Sequence, residues 1–268
     1  MCEAIDGEAE TTKHWPMSSL HRRYPFGLTD RNWPWFVLLA AGVLRLAGLL
    51  DLTWSPALKA WPEPLHGFFA YITDFGEAGW ILIPALVLLL VCAALSRVAP
   101  RRDVRLALIE MVQLYGFIFA AVGLASLVAN LLKRLIGRGR PVLFDQVGGF
   151  DFHHFAGSWT YESFPSGHST TVFATAVAVG FLSPRWFPLA LAIALLIGLS
   201  RIVVGMHYPT DVIGGALLGA LAVYAVRNSF AHRGWMFRIA PDGMIVPRAL
   251  AATRRLVRKQ TSLQRAAR

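Results

Sequence analysis

Six apolar segments, at about 33–50, 79–96, 106–132, 168–183, 187–204 and 211–226, constrain most strongly what this chain can fold into. Several are shorter than the ~20 residues of a straight bilayer crossing, but each extends into its flanks. A soluble domain carries about a quarter charged residues. Here 16% of the 268 residues are charged and 55% are hydrophobic. The expected fold is all-α, a six-transmembrane helix bundle at 33–228, between an N-terminal tail at 1–32 and a basic C-terminal tail at 229–268.

An even number of crossings puts both termini on one side, and basic residues choose the side. The tail residues Lys13, Arg22, Arg23 and Arg31 fall with the loop residues Arg97, Arg101, Arg102 and Arg105. Arg185 and the ten basic residues from Arg227 to Arg268 join them. The opposite side collects only Lys59, Lys133, Arg134, Arg138, Arg140 and Arg201, while Arg45 inside the first segment is expected to snorkel towards an end. The termini are therefore expected in the cytosol of a cell (inner) membrane, and short loops with many Ala and Arg suggest a bacterial one. The net charge of +10 then reflects membrane topology, and no nucleic-acid partner is expected.

Other stretches say less. The polar, mixed-charge start, including "DGEAE", does not read as a secretory signal. Cys2 and Cys92 give no disulfide framework. The aromatic stretch between the first two segments suits an interfacial helix on the outer face. The end, "RALAATRRLVRKQTSLQRAAR", reads as a solvated basic tail or as a helix lying on anionic lipid. "GALLG", Gly215 to Gly219, has the small-residue spacing that lets helices approach closely.

Alternating topology brings three polar clusters to one outer face: "KRLIGRGRP" from Lys133, "SFPSGHS" from Ser163 and "SRIVVGMHYPTD" from Ser200. Lys133, Arg140 and Arg201 are cations in apolar surroundings, where they must repel one another or share an anion. Guanidinium forks match phosphate oxygens. Pro165 to His168 open a helix whose free N–H groups suit a phosphate, and Gly167 permits close approach. Asp211, four residues after His207, is placed to orient that imidazole, and His168 is a second proton-transfer group. Two histidines and an aspartate also suit zinc, but three cations oppose a divalent metal, so no metal is expected. His153 and His154 read as loop residues. Trp159, Tyr161 and Phe164 either guide a headgroup or pack their loop, and Glu162 is the carboxylate near the second cluster.

Lys133 with Arg140 and Pro141, "PSGH" at 165–168, and Ser200, Arg201, His207 and Asp211 together resemble the three-part signature of the type 2 phosphatidic acid phosphatase superfamily. The resemblance covers about residues 70–226 and is complete in all three parts. It implies a phosphatase that needs neither metal nor cofactor, with catalytic residues His207, His168 and Asp211. His207 would form a phosphohistidine, Asp211 would orient it, and His168 would protonate the leaving alcohol and then activate water. Lys133, Arg140, Arg201, Ser166 and the Gly167 backbone would bind the phosphoryl oxygens. The superfamily's soluble vanadium haloperoxidases are a poor match for so apolar a chain.

The expected partners are the membrane and a lipid phosphate or diphosphate: phosphatidic acid, phosphatidylglycerol phosphate, a polyprenyl diphosphate or a lipid A phosphate. The same histidines would serve a lipid phosphotransferase. A non-catalytic lipid-binding or transport protein would be expected to lack one of these residues. Sequence sets neither the lipid nor the oligomeric state.

Overall fold

The structure, a computed structural model, describes residues 18–25, 28–29, 31–59 and 61–266. Most of the expected tail at 1–32, with Cys2 and Lys13, lies outside the described residues. The described chain is a helical bundle. Long helices α1 (Trp33–Lys59), α3 (Gly79–Val98), α4 (Arg102–Ile136), α6 (Gly167–Leu182), α7 (Phe187–Val203) and α8 (Pro209–His232) cover the six apolar segments. Shorter α2 (Glu63–Thr73) and α5 (Phe144–Val147) lie between them, and α9 (Ala251–Ala266) follows.

Among the described residues five stretches are long and apolar enough to cross a bilayer: Trp33–Thr53, Glu63–Val98, Arg102–Ile136, Pro184–Val203 and Pro209–His232. The remaining segment, α6, has 16 residues and spans about 24 Å at 1.5 Å per residue. Leu38, Leu39, Leu46 and Leu49 on α1, and Leu90 on α3, stay exposed. A helix surface so apolar is stable only where lipid covers it, so the chain is a multi-pass membrane protein.

The inner helices explain how the bundle closes. Most of α6 is buried, including Ser169, Thr170 and Thr171. Their polarity is met locally: Thr170 Oγ1 donates to the Ser166 carbonyl at 2.8 Å and Thr171 Oγ1 to that of Gly167 at 3.0 Å. Against α6 runs α8, and the small residues of "GALLG" set the contact. A Cβ on Gly215 would lie 2.6 Å from the Ser166 carbonyl oxygen, and one on Gly219 2.5 Å from that of Thr170. Backbone against backbone at this range leaves no room for any side chain.

At the opposite end from the three polar clusters, the chain continues as a hairpin. Strands β1 (Phe237–Ile239) and β2 (Ile245–Pro247) pair antiparallel, Phe237 facing Pro247. Phe237, fully buried, stacks edge-on against Phe117 of α4, so the hairpin joins the main core. Beyond it, α9 starts where Glu110 of α4 accepts the N–H groups of Ala252 and Thr253, each at 2.9 Å. Arg227 of α8 is fully buried between the Phe181 and Tyr224 rings. It donates to the carbonyls of Leu20, Arg22 and Arg23, fastening the segment at 18–25 to the last long helix.

Candidate active site

The site is built where four chain ends converge. Lys133 lies in the last turn of α4, which stops at Gly137 in the left-handed conformation (φ 62°). Glycine is doubly required there, because a Cβ would also strike the His153 carbonyl. The His153 N–H donates to the Gly137 carbonyl at 2.7 Å, and Arg138 bridges Phe152, so the loop folds back over its own start. This turn carries Arg138 and Arg140 under the bundle end. Ser166 caps α6, accepting from the Ser169 N–H at 3.3 Å, and presents Gly167 and His168 in the first turn. Arg201 closes α7, and the turn to α8 supplies His207 before Asp211 enters the first turn of α8.

Direct contacts tie these ends together. The Ser166 N–H donates to the Asp211 carbonyl at 2.9 Å, and the His207 N–H to the Arg201 carbonyl at 3.1 Å. Lys133 Nζ would lie 3.1 Å from a Cβ on Gly167. His168 feels the charges of Arg201, His207, Lys133 and Arg140. Thus the structure brings together all eight residues singled out above: Lys133, Arg140, Ser166, Gly167, His168, Arg201, His207 and Asp211.

Their individual settings differ. His207 is 1% exposed, and its Nδ1 faces Asp211 Oδ2 at 3.5 Å. Burial pushes its pKa down to about 3, against the opposite pull of Asp211, and the nearby Arg140 and Arg201 push the same way. Such a shift favours the neutral imidazole at neutral pH. Arg201 donates from Nη1 to Thr73 Oγ1 at 2.7 Å, while its buried Nε has no partner among the described residues. That leaves a donor for an anion. Arg140 is held by the Trp159 carbonyl at 2.9 Å and the Glu162 carbonyl at 3.3 Å. The Ser166 hydroxyl accepts from Ser169 Oγ at 3.0 Å, which leaves its own proton to give.

Residues around the cluster have plainer places. His153 pairs with Asp151 at 3.3 Å and packs on Tyr161, and exposed His154 meets the Leu135 carbonyl. Trp159 is more than half exposed, with Arg140 5.2 Å from its ring. Glu162 faces Arg134 at 3.6 Å. Among the described residues no group of three or more His, Cys, Asp or Glu is arranged to hold a metal ion. Behind the cluster, against α1, lies an apolar cavity of about 610 Å³ bounded by Leu49, Phe150, Phe164 and Arg138.

Charge and spacing alone overlooked four buried polar groups. Arg138, Asp51 of α1, Ser163 and Thr210 form a hydrogen-bonded set around Asp211. A carboxylate at the end of an apolar segment and an arginine inside "RGR" were the available signals.

Comparison with known proteins places this arrangement. The sequence profile of the PAP2 superfamily matches residues 114–235, which contain all three polar clusters. The lipid A 1-phosphatase of Rhizobium johnstonii is 34% identical over 232 residues, 87% of this chain and 95% of that protein. That of Rhizobium etli is 37% identical over 172 residues, 64% of this chain and 74% of that protein. A solved transmembrane phosphatidylglycerolphosphate phosphatase from Bacillus subtilis is 25% identical, covers 75% of this chain and 94% of its own, and has a TM-score of 0.46. With a relative matched along nearly its whole length and every cluster inside the shared region, the chain belongs to the PAP2 superfamily.

Proposed function

We propose that this chain is a membrane phosphatase that hydrolyses a lipid phosphate through a phosphohistidine on His207, without a metal ion. One observation carries the reading: buried His207, backed by Asp211, sits among Lys133, Arg140, Arg201 and His168 at the N-terminus of α6.

The chemistry runs in two displacements. The Nε2 lone pair of His207 attacks phosphorus, a P–N bond forms, and the P–O bond to the lipid alcohol breaks. His168, protonated once the substrate's phosphate has offset the cations around it, gives its proton to that departing oxygen. The imidazole becomes cationic, and Asp211 offsets the new charge. His168, now neutral, takes a proton from water as its oxygen attacks phosphorus; the P–N bond breaks and inorganic phosphate leaves. Lys133, Arg140 and Arg201 hold the phosphoryl oxygens throughout, so positioning and electrostatic stabilisation supply most of the rate.

Similarity over 95% of a lipid A 1-phosphatase makes the 1-phosphate of lipid A the first substrate to test. In the proposed topology α6 completes a sixth crossing, both termini are cytosolic, and the site opens at the outer face of the cell membrane. Residues 33–228 form the catalytic unit. At the outer interface lie α2 and the turn after it, with Phe68, Tyr71 and Phe75 exposed.

The test is phosphate release by detergent-purified protein with EDTA present. The panel holds bisphosphorylated lipid A, phosphatidic acid, phosphatidylglycerol phosphate and undecaprenyl diphosphate, with His207→Ala alongside. Release by wild type alone is expected. Release by the variant sinks the mechanism, and loss of the donor lipid's phosphate only after an acceptor lipid is added, with that phosphate recovered on the acceptor, turns the reading to a phosphotransferase.

A further inference from the structure

Arg138 is the most heavily bonded side chain in the site, and it is only 3% exposed. Its Nη1 donates to Asp211 Oδ1 at 2.6 Å and to Thr210 Oγ1 at 2.5 Å. Its Nη2 donates to Asp51 Oδ2 at 2.8 Å and to the Gly149 carbonyl at 2.7 Å, while Nε reaches that same carbonyl at 3.2 Å. Tyr208 covers one face, its ring centre 4.3 Å from Cζ. A guanidinium so fully bonded has no donor left for substrate, which separates it from Arg140 and Arg201.

Asp51 is the other half of the arrangement. It is fully buried near the end of the apolar stretch Trp33–Thr53 of α1, far in sequence from every motif. Its Oδ1 accepts the Thr210 N–H at 3.0 Å, and its Oδ2 also accepts the Thr210 hydroxyl at 2.6 Å. Asp211 meanwhile turns Oδ2 to the Ser163 hydroxyl at 2.5 Å, the Tyr208 N–H at 2.8 Å and the His207 imidazole.

The charges are what make this more than packing. Arg138 bound to Asp211 alone would cancel the negative charge that a cationic His207 needs. With Asp51 on its other side, Arg138 is already neutralised, and the trio keeps one net negative charge facing His207. We propose that Asp51 and Arg138 are positioning residues: Arg138 fixes Asp211 so that Oδ2 faces His207, and Asp51 offsets the arginine so that Asp211 stays an effective counter-ion. The first long helix, outside the region shared with the superfamily profile, thereby acts on the nucleophile.

This inference rests on the phosphohistidine reading, and the experiment separates the two. Full-length wild type, Asp51→Asn, Arg138→Gln and the double variant are compared on the panel lipid that wild type hydrolyses fastest. The readouts are kcat, KM, the rate of acid-labile phosphohistidine formation by rapid quench, and a thermal melt. Asp51→Asn is expected to lower kcat and the phosphorylation rate about 10-fold or more, with KM within about 2-fold, as for groups that orient a reacting ligand. The double variant removes both charges, and the amide that replaces the guanidinium can still donate to Asp211. It is expected to recover several-fold over Asp51→Asn. A merely structural pair would give a double variant no better than the worse single.

Asp51→Asn with wild-type kcat, or a double variant no faster than Asp51→Asn, overturns the inference. If the melt shows Asp51→Asn unfolded, the double variant decides: reduced kcat at unchanged KM supports the inference, and raised KM at wild-type kcat overturns it. Wild type that releases no phosphate overturns the phosphatase reading, and this inference with it.

Discussion

The ammonium of Lys133 occupies the space that a side chain on Gly167 would need: a Cβ there would lie 3.1 Å from Nζ. The last turn of α4 thus delivers its cation to the first turn of α6, where N–H groups are free of helix partners. Gly167→Ala forces the flexible end of Lys133 to shift by a few tenths of an ångström. The expected result is a folded protein with kcat/KM about 10-fold down, a change of ~1.4 kcal/mol in transition-state binding. Gly167→Val should lose more. Steady-state kinetics on both variants checks the order.

Arg201→Lys keeps the charge and loses the fork. The native side chain reaches Thr73 through Nη1 and leaves the buried Nε as a further donor, and a lysine ammonium cannot serve both directions. A fall in kcat/KM of about 100-fold, ~2.7 kcal/mol, is expected for a lost bidentate contact to transferring phosphate. Wild-type kinetics in this variant would remove Arg201 from the phosphate clamp.

Gly219→Ala tests the helix crossing away from the chemistry. The new methyl would meet the Thr170 carbonyl oxygen at 2.5 Å and the Ala174 nitrogen at 2.9 Å, and backbone atoms have nowhere to go. Overpacking of this kind costs about 1–3 kcal/mol. A lower melting temperature in detergent is expected, with kcat of the folded fraction nearly kept.

Acid should expose the burial of His207. Its folded pKa, about 3, lies below the ordinary value of 6.5, so the unfolded chain binds more protons between those limits. Stability from keeping this imidazole neutral is complete above pH 6.5 and drains away as pH falls towards 3. His207→Asn, which has no such proton to gain, should lose less. Melting temperatures from pH 7.5 to 4.5 are expected to fall at least ~3 °C further in wild type than in the variant. Parallel curves would mean that His207 is not held neutral.

Much of this molecule was legible in the chain because bilayers and phosphates make simple demands. Apolar runs become helices where the backbone must bond to itself, and α1, α3, α4, α6, α7 and α8 cover the six segments. Spacing within the clusters was enough to gather cations and histidines on one end. Other features depend on partners distant in sequence. Asp51 and Arg138 are 87 residues apart, and neither has a motif that names the other. Alone, each looks like a charge at a membrane interface. The hairpin at 237–247 is too short for periodicity to reveal, and its strands hold only because Phe237 and Ile245 reach the core. The basic end reads first as a solvated tail, and its helix emerges only where Glu110, more than a hundred residues earlier, caps it.

Arg227 also sets an order of events during synthesis. Its three carbonyl partners, at Leu20, Arg22 and Arg23, are made before α1, whereas Arg227 lies in α8, made after the other five long helices. The early segment must wait, its carbonyls bonded to water, while the intervening helices enter the membrane. The clamp is then the latch that shuts last, and a chain cut short before α8 leaves the carbonyls of Leu20, Arg22 and Arg23 without this guanidinium.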